Sequence, residues 1–202
     1  INQESSGICL PGECGGVATI TRYTANFGRT GISGFEVEAS GDVIRDWLTA
    51  RLAYSNADTK IESGRTNSAG EALEGILAFG TTKVKPICAA GGAASPYCGT
   101  GQSLQGATFE GLGTNIPAQP ETQLSGSLTL AHALGDTGLR WSARADYVRL
   151  GKQYEGFYNL AWVGPRKNVN LRFAISAETW EVAFWGRNLT DDETPTTILR
   201  SV

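Results

Sequence analysis

The 202-residue chain contains no methionine and one histidine, His132. A single histidine excludes a multi-histidine metal site. It also stands beside a tight-turn signal at residues 134–138, so a Ser-His-Asp triad is a poorer reading than a polar residue near a turn. Methionine is missing even at position 1, and the chain is therefore read as a processed form or as a piece of something larger, the second being the reading adopted. Charge is scarce: Asp, Glu, Lys and Arg make up 18% of the residues and the net charge is -3, with both signs dispersed. The basic stripe that nucleic acid requires is lacking. So is any run of about 18 apolar residues, and no transmembrane helix or signal peptide is read. That leaves a membrane β-barrel open, because barrel strands alternate and score weakly on hydropathy.

Cysteine is sparse and paired. Cys9 and Cys14 bracket Leu-Pro-Gly-Glu, and Cys88 and Cys98 bracket a stretch rich in Gly, Ala, Ser and Pro. Short loops of this kind suit the disulfides Cys9–Cys14 and Cys88–Cys98 in an oxidising compartment. The rival is one zinc site made by all four; paired zinc ligands usually stand two to four residues apart, which the first pair just meets and the second exceeds.

What the chain does have is alternation. Residues 180–192 read as a long strand, with Trp180, Val182 and Phe184 on one face and Glu181, Ala183, Trp185 and Arg187 on the other. Five more stretches behave alike: about 17–40, where Phe35, Val37 and Ala39 oppose Glu36 and Glu38, then 46–55, 123–130, 139–147 and 169–176. Residues 1–16 read as loop. Between 62 and 120 no strand pattern is visible, and a connection of that length is usually functional. Inside it, Ser68-Ala69-Gly70-Glu71 resembles a capping box ahead of Ala72, Leu73, Ile76 and Leu77, which predicts a short helix at about 70–79.

The six strands make three hairpins whose connections are sorted. Short ones (about 41–46, 135–138, 177–179) alternate with long ones (1–16, 62–120, 149–167, 193 onward), the layout of outer-membrane barrels. Trp47, Trp141 and Trp180 each open a strand leaving a short turn, with Phe35 assigned to the same level, and the four are read as an interfacial girdle. Trp47 shares parity with Thr49 and Arg51 and faces lipid only if its strand is irregular at the start. Glu36, Glu38, Arg51, Arg140, Arg144, Asp146, Arg172, Glu181 and Arg187 fall on the opposite face, which suits a hydrated lumen or contacts to a plug. The expected class is all-β: an antiparallel transmembrane β-barrel segment of about six strands with long extracellular loops and one short loop helix. Six strands do not close a barrel, so further strands are expected from elsewhere.

Three motifs carry a family resemblance over most of the chain. Gly34-Phe35-Glu36-Val37-Glu38 is similar to a Gly-Phe-Glu-hydrophobic-Glu strand. Pro120-Glu121-Thr122-Gln123-Leu124 resembles a Pro-led strand returning from a long outer loop. Trp180 to Asp191, with Asn188-Leu189-Thr190-Asp191, resembles a late-strand Trp…Asn-Leu-x-Asp signature. In order and spacing they resemble the C-terminal barrel part of TonB-dependent outer-membrane transporters. The resemblance implies a 22-stranded barrel, of which these strands would be the sixteenth to twenty-first, plugged by an N-terminal domain. It implies uptake of iron-siderophore, cobalamin, sugar or a similar scarce ligand, energised through TonB, ExbB and ExbD, in the bacterial outer membrane. The chain departs from the family pattern in carrying no plug, TonB box or last strand, and Thr194-Pro195 stands where an aromatic is usual.

Under this reading residues 1–202 are one barrel portion, and no catalysis, cofactor or metal is expected. The partners are outer-membrane lipid, the rest of the barrel and its plug, the TonB complex and a small-molecule ligand, not nucleic acid. Ligand contacts are expected from loop aromatics: Tyr97, Phe109, Tyr154, Phe157, Tyr158 and Trp162; for any one of them, packing within a loop is the competing role. Glu36/Glu38 and Asp191/Asp192 read as solvated faces or turns rather than acid–base pairs. Gly111-Leu112-Gly113 lacks the strand–helix context of a phosphate loop. Two other classes compete: an extracellular all-β binding or adhesion module stapled by two disulfides, and a lipase- or protease-type barrel enzyme, which the single histidine disfavours.

Overall fold

A computed structural model describes residues 28–198, and the backbone of residues 2–8 and 20–26. The Cys9/Cys14 pair lies outside the described residues. Contacts divide the described chain into two units, one of residues 32–58 with 117–198, the other of residues 28–31, 59–116 and the N-terminal hairpin.

The first unit is a single antiparallel sheet. It uses β3 (Gly28–Ile44) and β4 (Leu48–Thr66) over their parts nearest the turn between them, then β7 (Thr122–Ala133), β8 (Arg140–Leu150), β11 (Arg166–Ser176) and β12 (Glu181–Gly186). Each of these strands pairs with the next in the chain, β3 with β4, β4 with β7, and onward to β12. These are the six strands expected from alternation, and among the described residues the sheet does not close. Their short connections fall at 45–47, 134–139 and 177–180, closed by backbone N–H donation from Trp47 to Ile44 (3.1 Å), from Leu134 to Leu139 (2.8 Å) and from Ala177 to Trp180 (2.8 Å).

Two boundaries differ from expectation. The first short turn is at 45–47, at the far end of the expected 41–46, because Asp46 takes the left-handed conformation (φ 62°) that Asp tolerates better than most residues. The last strand spans only Glu181–Gly186, with Trp180 in the preceding turn and Arg187 beyond it. On the other side of the sheet, a two-residue pairing of β9 (Gln153–Tyr154) with β10 (Trp162–Val163) punctuates the connection after β8.

The second unit corrects the reading of 62–120 as a loop with one helix. β4 continues to Thr66, helix α1 runs Ala69–Lys83, and β5 (Val84–Ala90) and β6 (Gln102–Glu110) form a hairpin beside β4. Residues 2–8, expected to be loop, form strand β1 (Asn2–Ile8) against β2 (Ile20–Asn26). The helix is capped as its sequence suggests: the Glu71 N–H donates to the Ser68 hydroxyl (3.3 Å). The reciprocal arm is relayed, since Glu71 accepts from the Thr66 hydroxyl, which in turn accepts from the Ser68 N–H (3.2 Å). The helix kinks at Gly80 (φ 74°), a conformation open to glycine without strain, and so extends past the expected end. β5 escaped sequence reading because Pro86 interrupts it and a bulge follows at Ile87/Cys88; proline is tolerated at such edges.

The units differ in where apolar residues go. Ile61, Ala72, Ile76, Val84, Ala107, Phe109 and Leu112 are buried together in the second unit, a small ordinary core under α1. In the first unit the described apolar side chains stay largely uncovered.

Candidate functional site

The register of the first unit sorts its side chains into two continuous faces, because directly opposed residues lie on the same side of a sheet. Four cross-strand rows make the apolar face. They are Leu52–Gly126–Tyr147–Val169, Ala50–Leu128–Ala145–Leu171–Gly186, Leu48–Leu130–Ala143–Phe173–Phe184 and His132–Trp141–Ile175–Val182. Leu52, Leu128 and Val182 are each about half exposed and Phe184 is 69% exposed. A water-facing sheet does not leave a field of this size bare, whereas a barrel wall turns it to hydrocarbon.

Three of the five tryptophans lie at the short-turn rim. Trp47 stacks on His132 with ring centroids 3.9 Å apart and meets Trp141 edge-on at 6.5 Å. Its awkward parity is resolved by the turn: Trp47 precedes β4, and its carbonyl accepts from the Ala131 N–H (3.0 Å). Trp180 is half-exposed in the turn ahead of β12. Phe35 does not belong at this level. It lies nine residues up β3 from Ile44, against Tyr54 (centroids 5.6 Å apart), because β3 runs on past the expected turn.

The opposite face is polar. Thr49–Thr129–Arg144–Arg172–Trp185 and Arg51–Ser127–Asp146–Asn170 are its central rows. Arg144 and Arg172 stand directly opposite each other, which by itself is unfavourable. Each is neutralised locally: Arg144 donates to both oxygens of Asp146 (2.7–3.0 Å), and Arg172 to Glu181. Glu38, Arg51, Ser125, Ser127, Arg144 and Asp146 border an open hollow of about 590 Å³ on this face. Trp185 is 67% exposed among these charges, a large apolar surface that water alone leaves uncovered.

The six loop aromatics take different roles. In the second unit Phe109 is a core residue of β6, opposed to Gly64 and Val84, which removes it from ligand contact. Tyr97 is half-buried in the loop closed by the Cys88–Cys98 disulfide, whose Cα atoms are 5.8 Å apart. In the first unit Tyr158 is buried and Phe157 half-buried, so Tyr158 serves packing. Tyr154 and Trp162 are brought together, opposed across the β9–β10 pair. Sequence reasoning missed the group between them: the Lys152 ammonium lies 4.3 Å from the Tyr154 ring centroid and 4.4 Å from that of Trp162, and donates to the Tyr154 hydroxyl (2.9 Å). The alternation Lys152-Gln-Tyr154 was the available signal, since i and i+2 share a side of a strand.

The family model of the TonB dependent receptor-like β-barrel matches residues 3–189. The chain belongs to the TonB-dependent receptor family. Comparison with curated proteins found no match, and comparison with solved structures found none either. The family is one of outer-membrane transporters rather than enzymes.

The Asn188-Leu189-Thr190-Asp191 motif then acquires a physical meaning. It is not strand but the device that ends β12 in this receptor. Asn188 and Asp191 both adopt left-handed backbone (φ 50° and 49°). The Asn188 side-chain oxygen accepts from the N–H of Asp192 (3.1 Å) and the amide of Asn168 (3.2 Å). The Asn188 N–H donates to the Asn170 side chain (3.0 Å), the Leu189 N–H to the Val169 carbonyl (2.9 Å) and the Thr190 hydroxyl to the Lys167 carbonyl (3.1 Å). Asp192 completes the knot by accepting from the backbone N–H groups of Lys167 and Thr194. Hydrogen bonds from Thr194 first, then from Lys167, lower its carboxyl to about 2. The motif thus folds the chain back over β11 and satisfies backbone groups at the long-loop end of the sheet.

Proposed function

We propose that this chain is the C-terminal portion of the barrel of a receptor in the bacterial outer membrane. The receptor takes up a scarce small ligand with energy delivered through TonB, ExbB and ExbD. The observation that carries the reading is the bare apolar face bounded at one rim by Trp47, His132 and Trp141, with short turns at that rim and long segments at the other. In this orientation Trp47, Trp141 and Trp180 sit at the periplasmic interface and the long connections lie on the outer side. The polar face, with Arg51, Arg144, Asp146, Arg172 and the exposed Trp185, meets the plug. Ligand contacts come from Tyr97, Tyr154, Phe157 and Trp162 among the loop aromatics. The competing role, a stapled extracellular module, gains nothing from the disulfide alone and is disfavoured by an uncovered field that a module in water would have to hide.

Epitope insertion tests the orientation. A tag at residues 99–101 is expected to bind antibody on intact cells, and a tag at 135–138 only after permeabilisation. Equal access at both sites, or recovery of the receptor in the soluble fraction, would overturn the proposal.

A further inference from the structure

Helix α1 has two apolar sides but only one covered one. Ala72, Gly75 and Ile76 turn inward against β5 and β6, while Leu73 and Leu77, one turn apart, are 40% and 70% exposed. Leu73 forms one wall of a groove of about 620 Å³. The facing wall is the disulfide-closed loop with Pro96 and Tyr97, and the floor is Ser103, Leu104 and Gln105 of β6. The volume falls in the range of small-molecule sites.

Two properties separate this groove from a chance depression. The first is rigidity. Cys88–Cys98 ties the far wall to β5, and Ser95 holds the loop from inside by accepting from the Tyr97 N–H (3.4 Å) and the Cys98 N–H (3.1 Å). A site formed in advance does not lose affinity to loop ordering. The second is charge. From Pro86 to Phe109 the sequence contains no Asp, Glu, Lys, Arg or His, and the α1 residues lining the groove, Ala69, Gly70 and Leu73, are uncharged as well. An ion entering would meet no counter-charge among the lining side chains and so gain nothing over water. A neutral molecule meets Leu73, Pro96, Leu104 and the Tyr97 ring for its apolar face. Its hydroxyls meet Gln105, whose amide donates to the buried Ser103 hydroxyl (2.7 Å) and keeps its oxygen as an acceptor.

We infer that the groove between α1 and the Cys88–Cys98 loop is a binding site for an uncharged small molecule carrying a flat ring and hydroxyl groups. This deepens the proposed receptor function and rests on it only for the statement that the ligand arrives from outside the cell.

Saturation-transfer NMR on the complete receptor in a non-aromatic detergent tests it. The probe is phenyl β-glucoside, and phenyl phosphate is the charged control with the same ring. Transfer to phenyl glucoside is expected, with none to phenyl phosphate, and affinity weakened about tenfold in Leu73→Glu and in Tyr97→Ala. Leu77→Glu, an exposed change one turn away and outside the groove, is expected to bind as the parent does and shows that a charge on α1 leaves the fold intact. No transfer to phenyl glucoside, equal transfer to both probes, or a Leu73→Glu variant that binds unchanged would each overturn the inference. Binding in detergent does not depend on orientation. A groove that fails while the 99–101 tag is surface-exposed overturns only the groove, and a groove that binds while the tag stays hidden overturns only the receptor reading.

Discussion

Placing one arginine on each face of the central sheet separates a lipid-facing wall from a water-facing one. Leu128 lies midway along the apolar face, opposite Ala50 and Ala145. The row of Trp141 marks one interface, and Ala145 is four residues further along β8. At ~3.3 Å per residue and a strand tilt near ~40°, that is ~10 Å of height, close to the middle of a ~25 Å apolar band. Leu128→Arg therefore is expected to cost about 2–4 kcal/mol when the receptor unfolds reversibly from phospholipid vesicles, a shift of about 30- to 900-fold in the folding equilibrium. Its neighbour Ser127 points the other way, between Arg51 and Asp146, so that Ser127→Arg meets one like and one opposite charge across the sheet and the two offset. That change is expected to stay within about 1 kcal/mol. Denaturant titration followed by tryptophan fluorescence reads both variants in one assay. If the face were bathed in water, an arginine at the half-exposed Leu128 would alter stability by no more than about 0.5 kcal/mol. A near-neutral Leu128→Arg paired with a costly Ser127→Arg would refute the assignment of the two faces.

Gly106 is predicted to tolerate no side chain, since a Cβ there would stand 2.2 Å from the Thr66 carbonyl oxygen; Gly106→Ala should cost about 1–3 kcal/mol and Gly41→Ala, with nothing within 4 Å, almost nothing, by denaturant unfolding. Opening the Cys88–Cys98 loop, with its sequence separation of 10, should cost about 3 kcal/mol by loop-closure entropy, seen as faster protease cleavage within 89–105 in Cys88→Ser/Cys98→Ser. Asp192 should tether the end of β11 at neutral pH and let go in acid. Its folded carboxyl is lowered to about 2, below the ordinary carboxylate value of ~3.9, so its contribution is complete above that value and lost as pH falls toward 2. Hydrogen exchange at the Lys167 and Thr194 amides should therefore accelerate, beyond its intrinsic pH dependence, between about pH 4 and 2, and Asp192→Asn should lack that extra acceleration.

The six wall strands were legible because each carries an apolar face and a polar one, which writes alternation into the sequence directly. The hairpin β5–β6 was not, for the same reason inverted. Its buried residues are covered by α1 and are partly small, Ala107 beside Val84 and Phe109, while Pro86 and the bulge at Ile87/Cys88 interrupt the period. Trp47 looked misplaced because parity was counted from within the strand, while the residue belongs to a turn that the left-handed Asp46 redirects. The loop aromatics were visible as residues but not as roles. Nothing local distinguishes the buried Phe109 from the exposed Trp162, since what covers each comes from a strand or loop distant in sequence.

The Asn-Leu-x-Asp motif shows where local chemistry and remote pairing meet. As a string it continues the alternation of β12, and the strand was read through it. Yet Asn188 and Asp191 are the two residues of that string able to enter left-handed backbone at modest cost, and both do. The conformation alone would leave the turn marginal. What holds it is Asn188 acting through its N–H and side-chain oxygen on Asn170 and Asn168, reached only because β11 lies alongside, and through its side chain on the Asp192 backbone four residues on. Replacement of Asn188 by Asp keeps the backbone preference and the acceptor but loses the amide that donates to the Asp192 carbonyl (3.2 Å), and it places a carboxylate beside Asp192. Replacement by Gly keeps the conformation and the N–H that donates to Asn170, and loses every side-chain contact. If the turn were set by backbone preference, Asn188→Gly would be as stable as the parent; if it is set by the Asn188 side-chain contacts, both variants fray the end of β12, and hydrogen exchange at the Leu189 amide decides between them.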